Sequence, residues 1–235
     1  MGARPTRREG DAERWTRMMT VAVVDSTAHA SGCHQGSVAV MSRWPADAPG
    51  RLQQAAFELY SERGYDQTTV AEIAARAGLT ERTYFRHFAD KREVLFGGGD
   101  RFQAALVDPV EAATPSATAL EAVTAGIEAA GSVFPALELV RRRHTLIVAN
   151  PELQERELIK LASLATALAQ ALRRRGIPDT TAELAAETGV AVLRVALTRW
   201  ITDPDGQPWK LHVEETMNEL RALSTQRKDA HLRKS

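Results

Sequence analysis

Apolar residues first fall into regular order just after Arg51. Leu52, Ala55, Ala56, Leu59 and Tyr60 recur at i, i+3, i+4, i+7 and i+8, one stripe of an amphipathic helix. Gly64 stops that helix as a C-terminal glycine does. Thr69 and Glu72 have capping-box spacing, and Val70, Ile73, Ala74 and Ala77 form a short second stripe. Ala77-Gly78-Leu79 reads as a tight turn in which glycine is free to take a left-handed backbone. Thr80 caps a third short helix through His87, and Asp90 and Glu93 open a fourth that runs toward Val107. Two short helices joined by a three-residue glycine turn make a helix-turn-helix unit. Helical bundles that bind no DNA also contain such corners.

From about residue 110 to 228 the pattern stays helical, and Pro115, Pro135, Pro151, Pro178, Pro204 and Pro208 stand at or near helix starts. A helix over about 152–175 places Leu158, Leu161, Ala165, Leu168 and Leu172 on one face. The next, over about 181–201, has Leu184, Ala191, Val192 and Val195 on one face and Val190, Leu193, Leu197 and Trp200 on nearly the opposite one. Apolar residues on both sides require cover on both sides. Its neighbour, over about 208–226, carries Val213, Thr216, Met217, Leu220 and Leu223. Two such helices per subunit can form a four-helix interface across a two-fold axis. That reading puts Val190, Leu193, Leu197, Trp200, Val213, Met217 and Leu220 at the interface, and Val192 and Val195 toward the core. A helix buried within a monomer is the alternative. Strand signals and internal repeats are absent, so the expected fold class is all-α.

Residues 1–46 show no period and mix charge with Ser, Gly and Pro, which suits a disordered extension. Met41 offers an alternative translation start close to the first helix. Over the whole chain Lys+Arg and Asp+Glu balance at 30 each, so net charge argues for no partner. The single cysteine, Cys33, excludes an internal disulfide framework and fits a reducing cytoplasm. Cys33-His34 alone is too small a ligand set for zinc. No apolar run approaches the roughly 20 residues that span a bilayer, and no membrane partner and no cofactor are expected. A nucleophile elbow, a phosphate-cradling loop and a metal-spaced cluster are all missing, and Gly97-Gly98-Gly99 lacks the context of a phosphate loop. An enzyme is therefore not expected.

The run from Thr68 through Thr80, followed by Thr83-Tyr84-Phe85-Arg86-His87-Phe88 and Asp90-Lys91, resembles the signature of the TetR family of transcription regulators. The end of the first helix, Glu62-Arg63-Gly64-Tyr65, fits as well, so the resemblance covers about residues 48–97. It implies a three-helix DNA-binding domain over 47–96 and a helical ligand-binding and dimerisation bundle over 97–228, which leaves the disordered extension over 1–46 and a disordered tail over 229–235 outside both. It implies double-stranded DNA, a small-molecule effector and a second copy of the chain as partners, and release of a repressor from its operator by that effector. The second half resembles more loosely, at Asn150–Glu157 and Gly189–Arg194, an actinobacterial TetR branch with an acyl-CoA-like ligand domain.

Carried over by position, Thr80, Glu81, Arg82, Thr83 and Arg86 face the major groove. Arg82 is the best reader, since guanidinium matches the guanine O6/N7 edge with two bonds. Thr69 caps its helix and is placed to meet a phosphate; Lys91 meets phosphate as a point charge; Arg76 and His87 assist, although His87 can equally bond inside the domain. Phe85 stands where the family commonly has tyrosine, which leaves it packing or apolar contact. Over residues 41–100 there are 8 cationic and 9 anionic side chains, so affinity must come from a local cluster. Phe134, Leu137, Val140, His144, Ile147, Leu161, Leu164, Leu168 and Val195 are expected to line an effector cavity. The run Arg141-Arg142-Arg143-His144 reads as a solvated face, with contact to an anionic ligand or to the fourth helix as the alternative. A helical adaptor or small-molecule binder without DNA readout is the rival function.

Overall fold

The structure, a computed structural model, describes residues 48–225. The expected N-terminal extension, the start at Met41 and the C-terminal tail lie outside the described residues. Nine α-helices and no strand occur among the described residues. A head is formed by α1 (Ala48–Arg63), α2 (Val70–Arg76) and α3 (Glu81–His87), followed by a 3-10 turn at Glu93–Phe96. The body comprises α4 (Gly99–Ala112), α5 (Ala119–Ala130), α6 (Leu137–Ala149), α7 (Pro151–Arg174), α8 (Asp179–Thr202) and α9 (Trp209–Thr225). No single helix among the described residues is long and apolar enough to cross a membrane.

The head core holds the expected α1 stripe together with Ile73, Ala77, Tyr84 and Phe88. Gln53 and Phe57 are buried too, so α1 is covered more widely than one stripe. The reason is the 3-10 turn, whose Val94, Leu95 and Phe96 fold back against it, with Gln53 Nε2 donating to the Val94 carbonyl at 3.4 Å.

The expected fourth helix is broken. Asp90 Oδ1 accepts from the backbone N–H of Arg92 at 2.8 Å and of Glu93 at 3.1 Å, but the Glu93 carboxylate turns to Arg156 and Lys160 instead of closing the box. Gly98 then adopts φ +84°, a backbone that favours glycine. A Cβ on Gly97 would lie 2.2 Å from Gln53 Nε2. Beyond the break, α4 runs on through Pro109. The ring removes a backbone donor, and full burial of Leu106 and Val110 on either side holds the helix together.

The body core is built largely from small residues, including Ala122, Ala130, Ala165, Ala171, Ala182, Ala186 and Ala196. Close approach is enforced at two glycines. A Cβ on Gly126 would sit 2.3 Å from the Leu106 carbonyl oxygen, and one on Gly189 would sit 2.2 Å from Val123 Cγ1. A capping box at Thr118 and Glu121 starts α5, a local signal that the sequence carries openly.

On α8 the expected interface residues Val190 and Leu193 turn inward and Val195 turns outward, while Val192 faces the core as expected. Val190 and Leu193 are buried in the body core with Val192 and Ala196, while Val195 is 47% exposed and Leu184 69% exposed. On α9, Val213 and Met217 are also core, and Leu197, Trp200 and Leu220 pack against that core. On α7, Leu158 is exposed, and Leu164, Leu168 and Leu172 face inward.

Candidate nucleic-acid interface

The head sets its second and third helices by local bonds. Thr69 Oγ1 accepts from Glu72 N–H at 3.2 Å and donates to Glu72 Oε2 at 2.9 Å, while Thr69 N–H donates to the same carboxylate oxygen at 2.9 Å. The hydroxyl proton is thereby committed inside the cap. These bonds hold the Glu72 carboxyl below its ordinary range. Thr80 Oγ1 accepts from Thr83 N–H at 3.2 Å and caps α3. Between the helices the chain reverses through Gly78 at φ +65°, with Leu79 N–H donating to the Ala74 carbonyl at 2.8 Å. Arg51 braces this corner from α1 by donating to the Ala77 carbonyl, and a Cβ on Gly78 would lie 2.8 Å from its guanidinium. Arg51 is a positioning residue that sequence reasoning missed, because its contact spans 26 residues.

On α3, Tyr84 and Phe88 point inward, and the Tyr84 hydroxyl donates to the Asp90 carbonyl at 3.0 Å. Burial pushes the Tyr84 phenol well above its ordinary value. Glu81, Arg82, Phe85, Arg86 and His87 are exposed, and Thr83 is half-buried. Arg82, Thr83 and Arg86 border a shallow notch on this face. Arg82 has no side-chain partner among the described residues, and Arg86 touches only the His87 ring at 3.3 Å. The structure thus brings Thr80, Glu81, Arg82, Thr83, Arg86 and His87 onto one short helix and its cap.

Other expected contacts are occupied. Arg76 bonds both Glu62 oxygens at 3.0 and 2.9 Å and reaches Glu58 at 3.3 Å. The first of these pairings draws the Glu62 carboxyl below its ordinary value. Lys91 Nζ donates to the Tyr65 carbonyl at 2.9 Å and lies 4.0 Å from the centroid of the Tyr65 ring. Arg63 pairs with Glu72, and Arg92 with Asp90. Of the head's described cations, Arg82 and Arg86 remain without a carboxylate or a carbonyl.

The arginine run on α6 splits three ways. Arg142 makes a surface pair with Glu138, which fits the solvated reading. Arg141 donates to the carbonyls of Ile201 at 2.7 Å and Asp203 at 3.1 Å, capping α8. Arg143 meets the segment after the head: it donates to the Leu95 carbonyl at 3.1 Å, lies 4.9 Å from the Phe96 ring centroid and pairs with Glu157 at 3.3 Å. A seam between head and body continues through Glu93 with Arg156 and Lys160, and through the Tyr65 hydroxyl, which donates to Glu152 at 3.3 Å. Burial alone would raise the Glu93 carboxyl, but the bonds from Arg156 and Lys160 win and hold it low.

The nine expected cavity residues do not face one common space. Ile147 packs into the head core with Leu153. Leu164 and Leu168, with Leu161 beside them, belong to the body core, Val140 is buried, and Leu137 and His144 are half-buried. Val195 lies on the outside. Phe134 joins an aromatic group, 5.2 Å from Trp200, 5.0 Å from Trp209 and 5.6 Å from Phe102. Trp209 fixes that group by donating Nε1–H to the Ile127 carbonyl at 2.8 Å.

Residues 52–96 match the family model of bacterial regulatory proteins of the tetR family, and residues 117–224 match that of the MftR C-terminal domain. The chain is 27% identical over 171 residues to a putative mycofactocin biosynthesis transcriptional regulator, MftR, of Mycobacterium tuberculosis, covering 69% of this chain and 84% of that protein. The solved SmeT–triclosan complex superposes with a TM-score of 0.50 at 21% identity, over 73% of this chain and 90% of that one. Native NalD, the secondary repressor of the MexAB-OprM efflux pump in Pseudomonas aeruginosa, does so at 0.51 and 19% identity, over 74% and 94%. The two solved structures share the fold.

Proposed function

The chain belongs to the TetR family of transcription regulators, and from that premise we propose that it is a cytoplasmic, sequence-specific repressor that binds a palindromic operator as a homodimer and is released by a small molecule. The observation that carries the reading is α3 itself: a capped helix with its inward face locked and an unpartnered Arg82 on its exposed face. Guanidinium recognition of guanine is the chemistry that such a residue supplies. A two-fold arrangement is supported by the exposed stripe Leu184, Ala191 and Val195 on α8, next to α9. A small-molecule partner is supported by SmeT, a protein of the same fold captured with triclosan.

DNase footprinting on fragments enriched by the protein from its own genome tests the proposal. Two protected half-sites related by two-fold symmetry, centred about one helical turn or a multiple apart, are the expected result. Protection without symmetry would overturn the homodimer, and no protection of any fragment would favour the adaptor reading.

A further inference from the structure

Phe85 is 54% exposed in the middle of α3, although its neighbours Tyr84 and Phe88 fill the head core. Its ring stands edge-on to Tyr84, with centroids 5.5 Å apart and planes at 78°. Tyr84 is itself fixed by burial and by its bond to the Asp90 carbonyl. The phenyl ring is therefore held against an immobile support while much of its apolar area meets water. Leaving aromatic surface in water forgoes about 25 cal/mol for each Å², and the head gains nothing visible from that exposure.

Phe85 follows Arg82 by three residues, so the two side chains leave the helix about 60° apart and about 4.5 Å apart along its axis. That step is close to the roughly 3.4 Å rise between base pairs. A phenyl ring has no donor for a phosphate oxygen, so charge recognition is not its role. Within the major groove, the thymine C5 methyl is the apolar group that a side chain can meet. Resting on the reading of α3 as the recognition helix, we propose that Phe85 contacts a thymine methyl in each half-site, one or two base pairs from the guanine read by Arg82.

The test uses the full chain and a duplex that it enriches from a random library, with affinity followed by fluorescence anisotropy. Each thymine in a half-site is replaced in turn by deoxyuridine, which removes only the methyl group. Burial of one methyl corresponds to about a fourfold change in affinity, and one position per half-site should weaken by that factor. Phe85→Ala should bind the parent duplex more weakly and should no longer distinguish thymine from uracil at that position. Phe85→Tyr, which keeps the ring, should still distinguish them. Wild-type protein indifferent to uracil at every position would overturn the proposal, as would Phe85→Ala retaining the full uracil effect. Should no duplex be enriched, the DNA-reading role of α3 fails and this inference falls with it; an enriched duplex that is indifferent to uracil removes the inference alone.

Discussion

Lys91 and Tyr65 form a closed pair: the ammonium donates to the Tyr65 backbone carbonyl at 2.9 Å and sits 4.0 Å from the centroid of the same residue's ring. Lys91 therefore holds the α3 exit against the loop after α1. Lys91→Ala should lower the stability of the chain by about 1 kcal/mol. The slope of log K against log salt should stay at the wild-type value. A slope reduced by about 1 would assign Lys91 to a phosphate instead, and a salt titration of operator binding decides between them.

Arg82 and Arg76 should behave differently when truncated. Arg82→Ala should lose about 1–3 kcal/mol of operator affinity and relax preference at one base pair. Arg76 is engaged by Glu62 and Glu58, so Arg76→Ala should leave base preference intact. Binding to a panel of single-base operator variants measures both. A loss of base preference in Arg76→Ala would show that its carboxylate partners release it on DNA.

On α8, Leu184→Glu and Val195→Glu place charge on the exposed stripe, whereas Leu193→Glu places it in the core. The first two should sediment as monomers with melting temperatures near that of the dissociated wild type. Leu193→Glu should instead unfold, because an unpaired buried charge is strongly destabilising. A folded monomer from Leu193→Glu, with Val195→Glu still dimeric, would restore the opposite face as the interface.

Glu93 gives the seam a pH dependence of defined sign. Its folded value lies below the ordinary 4.5, so below that pH the unfolded chain takes up the proton more readily than the folded one. The stabilisation is complete above about pH 4.5 and is lost as pH falls through the lowered value. Glu93→Gln should cost about 1 kcal/mol near neutrality, or about 2–4 °C in melting temperature. That gap should narrow as the medium is acidified toward and below the carboxylate range. A gap that widens on acidification would show that Glu93 is not the group responsible.

Gly126→Ala introduces a Cβ 2.3 Å from the Leu106 carbonyl, a backbone atom that cannot swing aside. The variant should be destabilised by about 1–3 kcal/mol through overpacking, measurable by urea denaturation. Gly64→Ala has open space around its Cβ but a φ of +85°, so any loss there comes from the backbone alone.

Several features encoded within four residues were legible in the sequence, although the Asp90–Glu93 box was not, because Arg156 and Lys160 draw the Glu93 carboxylate away. The caps at Thr69 and Thr80, the stop at Gly64 and the turn at Gly78 each need only their neighbours, and all take the expected form. Commitments over distance were not legible. Arg76 looks like any basic helix residue until Glu62, 14 residues away, takes its guanidinium, and Lys91 does so until the carbonyl of Tyr65, 26 residues away, takes its ammonium. The faces of α8 misled for a different reason. Periodicity put Val195 toward the core on the face that also carries Leu184, yet the inner face runs through Ala182, Ala186, Gly189 and Ala196, whose smallness lets helices approach. Apolar bulk marks what needs cover, whether that cover comes from the same chain or from outside it.

The break at Gly97–Gly99 has a mechanical meaning. A continuous fourth helix would act as a rigid crank, turning any tilt of α4 directly into rotation of the head. A chain segment with a left-handed glycine at its root carries tension but little torque. The head is gripped at its side instead, where Arg143, Arg156 and Lys160 hold the turn that precedes the joint. A displacement of α6 or α7 would reach the head without α4 having to turn, so leverage in this molecule lies beside the hinge and not along the shaft.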